Sequence, residues 1–388
     1  MWSTSDGSVG NSLRLLRFVY ERSFSLTFAR TFAWPRLGAH TRFVNGVRGE
    51  AAHVTEADRV PTLKEIAERA GVHVSTASRV LRQPEPAVGW SESARRVRQV
   101  ADELGYQRNI WAASLRTRKT TTLGVVMTRL TDGVVATTYQ GIEEAASKAG
   151  YSVLLSSPPD ELAAQRRAIE LLVGRQVDGL MISGLHTPGD PFVDSLALGR
   201  LPLLAVTRHA GSSLPFVGGD DRHGGYLAAR HLLDRGHTDL AVIAGPPHAT
   251  TASDRTAGFR AALETASVPL PDSRVVGSGF EVDGGIVAGR QLLDSPDRPR
   301  AIFAVSDTIA IGVMGVARDL GLRIPEDLAL IGYNDIPVVA QLPVPLTTVR
   351  SPAHDIGATA TRRLLDLVAD REPETIRLPV ELIARATT

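Results

Sequence analysis

The chain has 388 residues, 43% of them hydrophobic and 22% charged, with a formal net charge of +1 and no cysteine. That length is enough for two or three domains with packed cores. The missing cysteines exclude disulfides, thiolate metal ligands and cysteine nucleophiles, in keeping with a reducing compartment. No apolar run approaches the ~20 residues of a membrane-spanning helix, so the expectation is a cytoplasmic protein without membrane association.

Residues 1–58 read as an extension outside the fold. The stretch "NSLRLLRFVYERSFSLTFARTFAWPRL" is rich in arginine, serine and aromatics and poor in acids, as transit peptides are, yet it lacks the apolar core of a secretory signal. A disordered or accessory extension, or a start codon placed too far upstream, accounts for it equally well, and it is assigned no function.

Charge becomes informative between Arg59 and Lys119, where twelve bases stand against six acids, an excess that suits phosphates. Within it Thr62 and Glu65 have the T-x-x-E spacing of a capping box. A helix is therefore expected from Leu63, with Ile66, Ala67 and Ala70 on its inner face and Gly71 as the left-handed stop. A second helix is expected from about Val74 to Leu81, burying Ala77, Val80 and Leu81 and showing Ser75, Thr76, Ser78 and Arg79. Short hydroxyls and one guanidinium suit phosphate oxygens and base edges in a major groove. A third helix opens at Ser91 and closes at Gly105. Together these define a helix-turn-helix unit over residues 59–108, although a helical hairpin with no DNA role would carry the same local pattern.

Residues 109–120 form a short stretch of small residues and a basic, threonine-rich linker. If two copies met in a dimer, Leu115 would wedge into a minor groove, with Ala112 allowing close approach. The alternative is a plain tether.

From Leu123 onward short apolar strands alternate with helical patterns: "LGVVMT", "SVLLSS", "DGLMIS", "PLLAV", "LAVIAG", "AIFAVS" and "LALIGY". Continuous apolar runs indicate parallel strands buried on both faces, hence doubly wound architecture. The units are too many for one sheet of usual size, so two similar lobes with a cleft between them are expected. In such sheets ligands sit beyond the carboxyl ends of the strands. That draws attention to Thr131, Asp132, Arg208, Asp220, Asp221 and Asp307, to Arg255 near a helix start, and to Phe280 in the loop after a strand near Val275. Carboxylates, a guanidinium and a ring on one cleft suit a polyhydroxylated ligand. Singly, Asp307 reads equally as a helix cap, Arg255 as a surface ion pair and Phe280 as loop packing.

Catalytic signatures are missing: no phosphate loop, no G-x-S-x-G elbow and no H-E-x-x-H pair. His73, His209, His223, His231, His237 and His248 lack metal-ligand spacing. A binding protein is favoured over an enzyme, with no cofactor and no metal.

Taken together, the stretches "TLKEIAERAGVHVSTASRVL", "LGYQRN..AASLRT", "GIEEAASKAGYSVLL", "DDRHGGYLAARHLLDRGHTDLAVIAG", "AVSDTIAIGVM" and "GLRIPEDLALIGYND" run in the order of the lactose/galactose repressor family, which the chain resembles over more than four-fifths of its length. The resemblance implies a bacterial transcriptional repressor with a DNA-binding headpiece, a hinge helix and a core like that of periplasmic sugar-binding proteins. It implies a homodimer on a near-palindromic double-stranded DNA operator, controlled by a small carbohydrate or related polyol. Carried over by motif position, His73, Val74, Ser75 and Arg79 would face bases, and Thr62, Thr76, Ser78 and Arg82 would hold phosphates. Asn109, Ala112 and Leu115 would form the hinge helix. The implied effector set is Asp132, Val134, Arg208, Asp221, Arg255, Phe280 and Asp307. The core would span residues 121–388, one lobe from about 121–221 plus 350–378 and the other from about 222–349 plus 379–388.

The departures are specific. Arg108 stands where most members carry proline, and "TDGVV" at Thr131 to Val135 replaces a common N-P-F-F, removing the usual aromatic partner of a pyranose. The segment "PEPAVGWSES" is slightly longer than is common, and residues 1–58 have no family counterpart. Control by a protein partner, a free sugar-binding module, and an enzyme of sugar or nucleoside metabolism are the rival readings.

Overall fold

The computed structural model describes residues 61–83, 89–106, 119–186, 191–209, 214–372 and 374–388. The chain falls into two units that divide between Tyr106 and Gln107. The expectations for residues 1–58 and for Arg108, Asn109, Ala112 and Leu115 lie outside the described residues.

The first unit holds α1 (Leu63–Ala70), α2 (Val74–Val80) and α3 (Glu92–Glu103). Each begins on a side-chain cap that satisfies an orphan amide of the first turn. The Thr62 hydroxyl accepts from the Glu65 amide at 3.3 Å, His73 Nδ1 from the Ser75 amide at 3.3 Å, and the Ser91 hydroxyl from the Ala94 amide at 3.3 Å. Gly71 ends α1 at φ 64°, a conformation that costs glycine nothing. Ile66, Ala67, Ala70, Ala77, Val80, Ala94, Val97 and Ala101 form one buried cluster, in which the alanines let three short helices meet closely. Leu81, expected in that core, is the C-cap of α2 and only partly buried.

The second unit is built on two six-stranded sheets. The first contains β1 (Thr122–Val126), β2 (Ser152–Ser156), β3 (Gly179–Ile182), β4 (Leu203–Val206), β5 (Phe216–Gly219) and β11 (Ile376–Leu378), in the order β11-β5-β4-β3-β1-β2. Its pairings are all parallel. The second contains β6 (Leu240–Ala244), β7 (Val275–Gly277), β8 (Ala301–Ala304), β9 (Ala329–Asn334), β10 (Thr347–Arg350) and β12 (Glu381–Ile383), in the order β12-β10-β9-β8-β6-β7. Only β12 runs antiparallel to its neighbour. Counted within its own lobe, each sheet has the same strand order, and the chain crosses between lobes after β5, after β10 and after β11.

The expected fold class, a helical headpiece with two doubly wound parallel-sheet lobes, is what the chain adopts. The apolar runs became central strands because β1, β3, β4, β6, β8 and β9 are buried along nearly their whole length. Helices α4 (Gly133–Lys148), α5 (Leu162–Gly174), α6 (Pro191–Ala197) and α11 (Ala353–Val368) belong to the first lobe, and α7 (Asp221–Asp234), α8 (Thr250–Thr265), α9 (Val282–Leu293) and α10 (Asp307–Asp319) to the second.

One helix contact shapes the cleft directly. A Cβ on Gly225 of α7 would sit 1.9 Å from the Arg255 carbonyl oxygen, and one on Gly258 of α8 would sit 1.8 Å from that of Arg222. Only glycine at both positions lets the two backbones touch, and this approach brings Asp221 and Arg255 together.

Candidate functional site

A cleft of about 620 Å³, its open mouth included, lies between the two lobes. Its walls come from the carboxyl ends of strands, where open parallel sheets place their ligands. Thr128, Arg129 and Asp132 follow β1, Ser183 follows β3, and Thr207 and Arg208 follow β4; Asp221 and Arg255 come from α7 and α8, Phe280 follows β7, Asn334 ends β9 and Ser351 follows β10.

Three guanidinium groups reach this cleft, and each has its own carboxylate. Arg255 Nε donates to Asp221 Oδ1 at 2.7 Å and Nη1 donates to the Val305 carbonyl at 2.8 Å, with the guanidinium 3.7 Å from the centre of the Tyr333 ring. Burial opposes both charges; on Arg255 the Asp221 carboxylate more than compensates, and the guanidinium pKa is raised. Arg208 grips both oxygens of Asp160, Nη1 to Oδ1 at 3.1 Å and Nη2 to Oδ2 at 2.9 Å. Burial pushes the Asp160 carboxyl up, but the Arg208 fork and His186 outweigh it and hold it at about 2. Arg129 pairs with Asp132, and burial lowers the pKa of its guanidinium despite that neighbour. Asp132 also caps α4 by accepting from the Val134 amide at 3.2 Å.

Phe280 is buried between two of these cations, 4.6 Å from the Arg129 guanidinium and 5.6 Å from that of Arg208. Strain gathers at the same place. Arg129, Thr207, Asn334 and Asp335 have φ of 60°, 62°, 114° and 57°, each costing ~1–3 kcal/mol. Thr207 is β-branched, and its hydroxyl lies 3.0 Å from that of Ser183. Backbone held this far from ease is over-determined by its surroundings, as binding clefts require.

The structure places the expected effector residues unequally. Asp132, Val134, Arg208, Asp221, Arg255 and Phe280 all line the cleft, whereas Asp307 does not. Its Oδ1 accepts from the Thr348 hydroxyl at 2.6 Å and its Oδ2 from the Ile336 amide at 2.9 Å. Burial raises its carboxyl to about 6. The cap of α10 is Ser306 instead, whose hydroxyl accepts from the Ile309 amide. Asp307 thus ties α10 to β10 and to the chain after β9. Thr131 is exposed, and Asp220 caps α7 through the His223 amide.

Thr128, Arg129, Ser183, Thr207, Asn334 and Ser351 line the cleft without having been expected there, and the signal that marks them is that each follows or ends a strand. Two histidines, without ligand spacing in the sequence, meet in space. His186, in the loop after β3, lies 2.9 Å from Asp160, and His248, between β6 and α8, lies 3.5 Å from the same carboxylate. The two imidazoles stack at 4.0 Å between centroids. Burial, with His186 beside it, lowers the pKa of His248. His209 Nε2 sits 3.1 Å from Asp254 of α8.

In the headpiece His73, Val74, Ser75 and Arg79 are exposed on one end and side of α2, and Thr76 and Ser78 are partly so. Arg82 is exposed and donates to the Ser78 hydroxyl at 3.1 Å and to the Ser78 carbonyl at 3.2 Å, which holds its cation against the end of α2.

A helix-turn-helix unit followed by two doubly wound lobes around a cleft defines a class: DNA-binding regulators with a periplasmic-binding-protein-like core. Residues 62–109 match the model of bacterial regulatory proteins of the lacI family, and residues 229–388 match that of periplasmic binding protein-like domains. The HTH-type transcriptional repressor PurR of Escherichia coli (strain SMS-3-5 / SECEC) is 31% identical over 329 residues, 84% of this chain and 96% of the relative. Among solved structures, a transcriptional regulator CelR in complex with cellobiose is 30% identical, covering 84% of this chain and 100% of that one with a TM-score of 0.65. The lac repressor dimer bound to operator and the anti-inducer ONPF is 26% identical, covering 85% and 99% with a TM-score of 0.77. The chain belongs to the lacI family of bacterial regulatory proteins.

Proposed function

We propose that the protein is a homodimeric transcriptional repressor whose affinity for a near-palindromic operator is set by a neutral polyhydroxylated ligand, a carbohydrate or related polyol, bound between the lobes. The observation that carries the choice of ligand is the pairing of every cleft guanidinium: Arg129 with Asp132, Arg208 with Asp160 and Arg255 with Asp221. With Glu281 also 3.5 Å from Arg129, four carboxylates face these three cations and leave no charge for a phosphate to neutralise. The hydroxyls of Thr128, Ser183, Thr207, Thr251 and Ser351 and the amide of Asn334 supply uncharged partners. The cellobiose bound by the similar CelR supports the same class of ligand.

In this reading α2 lies in the major groove. His73, Val74, Ser75 and Arg79 read base edges, while Thr62, Thr76, Ser78 and Arg82 hold phosphates. Asn109, Ala112 and Leu115 form the hinge helix at the minor groove. Asp132, Val134, Arg208, Asp221, Arg255 and Phe280 contact the ligand. Ligand that prefers one arrangement of the lobes shifts the population toward it. Coupling of this kind is worth ~1–3 kcal/mol, or about 5- to 150-fold in operator affinity. The test is operator selection with the full chain, followed by footprinting against neutral sugars and polyols, sugar phosphates and nucleosides. A response to neutral sugars that Asp221→Asn abolishes supports the reading. A response confined to anionic ligands, to nucleosides or to a protein partner overturns it.

A further inference from the structure

We propose that Asp160, His186 and His248 form a binding site for a borderline divalent cation of the zinc type, and that the ion clamps the two lobes together. The proposal does not depend on what the effector is. Asp160 follows β2 and His186 follows β3, both in the first lobe; His248 follows β6 in the second. One ligand atom from each, a carboxylate oxygen and two imidazole nitrogens, lies within 4.8 Å of the others. The three residues are far apart in the chain, and the folding of both lobes brings them together at equivalent places, just beyond the sheets' carboxyl edges.

The distances suit a small ion. Tetrahedral zinc with Zn–N of about 2.0–2.1 Å and Zn–O of about 2.0–2.2 Å sets its ligand atoms about 3.3 Å apart. His186 Nε2 is 2.9 Å from Asp160 Oδ1, and His248 Nε2 is 3.5 Å from Asp160 Oδ2. The two imidazoles, stacked at 4.0 Å with 24° between their planes, turn so that both Nε2 lone pairs converge on the ion. Two imidazoles and one carboxylate are the donor set that selects zinc, nickel or copper over calcium and magnesium.

Hydrogen bonding leaves one atom of this cluster unserved. His186 Nε2 faces Asp160 Oδ1 at 2.9 Å and Gln165 Nε2 at 3.1 Å, and the Gln165 amide also donates to Asp160 Oδ1 at 3.1 Å. His248 Nε2 is shielded from solvent and makes no hydrogen bond. An ion accepts the lone pairs of both Nε2 atoms, and a half-turn of the Gln165 amide offers its Oε1 as a fourth ligand.

Arg208 opposes the ion, since its fork occupies one lone-pair site on each Asp160 oxygen. A carboxylate has about four such sites, so an ion can share Asp160 with the guanidinium, at reduced affinity. The consequence is coupling: a bound ion weakens the hold of Asp160 on Arg208, which lines the effector cleft.

Calorimetric titration of the full, chelator-treated chain with zinc chloride tests the proposal. The expected result is one saturable equivalent per chain, weakened at least tenfold in His186→Ala and in His248→Ala and unchanged in His73→Ala. His248→Gln, close in size and polarity, keeps the test valid if truncation to alanine unfolds the chain. X-ray absorption at the zinc edge should show nitrogen and oxygen ligands with imidazole outer-shell scattering. Zinc should raise the thermal midpoint of the wild type and leave that of His248→Gln unchanged. Absence of saturable binding, equal binding by wild type and both histidine variants, or an equal rise in midpoint with His248→Gln overturns it.

Discussion

Arg255 and Asp221 meet at 2.7 Å where α7 and α8 touch, both side chains buried and the guanidinium lying on the Tyr333 ring. Their pairing joins the packing of the second lobe to the wall of the cleft. Asp221→Ala should leave a buried guanidinium without its counter-charge and destabilise the core by about 3–5 kcal/mol, read as a fall in the urea midpoint. Asp221→Asn, which keeps an acceptor oxygen, should cost less and separate loss of ligand response from loss of fold.

Gly258 and Gly225 make that meeting possible. Gly258→Ala would place a methyl group 1.8 Å from the Arg222 carbonyl oxygen, so the backbones of α7 and α8 must part. Overpacking of this kind costs ~1–3 kcal/mol and sometimes more. The thermal midpoint should drop, and ligand affinity should drop with it because Arg255 rides on α8. An alanine variant as stable as the wild type would show that the helices separate freely.

Asp307 gives stability a pH dependence with a defined sign. Its carboxyl titrates at about 6 in the folded chain against an ordinary 3.8. The folded state therefore holds this proton more tightly. The resulting stabilisation is complete below the ordinary value and is lost as pH rises through about 6. A shift of about two units corresponds to ~3 kcal/mol. Asp307→Asn cannot ionise, so its unfolding free energy relative to the wild type should improve between about pH 4 and 7. Urea unfolding of both proteins across that range checks the slope, and parallel curves would refute it.

On DNA, Arg79 and Arg82 should behave differently. Arg79→Ala should cost about 1–3 kcal/mol and relax preference at one operator position, as loss of a base contact does. Arg82→Ala should weaken binding to all sequences alike and reduce the salt slope by about one. Footprinting over a salt series distinguishes the two, and equal effects of both variants on specificity would remove the distinction.

How far the site could be read from sequence follows from what each residue depends on. Thr62, Gly71 and Ser91 act through neighbours within four residues, so local spacing revealed the headpiece helices. The central strands announced themselves as apolar runs because they are buried on both faces. The strands β5, β10, β11 and β12 did not: "FVGG" carries two glycines, "TTVR" begins with two threonines, and "IRL" and "ELI" have three residues each. Arg255 stands out in sequence because it lies near the start of a helix after a strand, but its partner is named only by the fold that brings Asp221 to it. Asp307 illustrates the converse. Its position after β8 is the one expected of a ligand contact, yet Thr348 and Ile336, distant in sequence, hold both of its oxygens. The neighbours of His248 lie on another lobe, and no pattern of spacing within one chain segment could have brought them to notice.

The three crossings of the chain between lobes have a consequence for how the protein is made. Residues 347–388 carry the last strand of the first sheet, β11, and two strands of the second, β10 and β12. A premature stop after Leu346 would therefore unravel an edge of both halves at once, and neither half can be cut from the gene as one uninterrupted fragment. The same arrangement orders events during synthesis. Both sheets wait for residues 347–388 to leave the ribosome before they are complete, although residues 61–106 emerge long before. A nascent chain thus acquires its three short helices well ahead of a complete cleft.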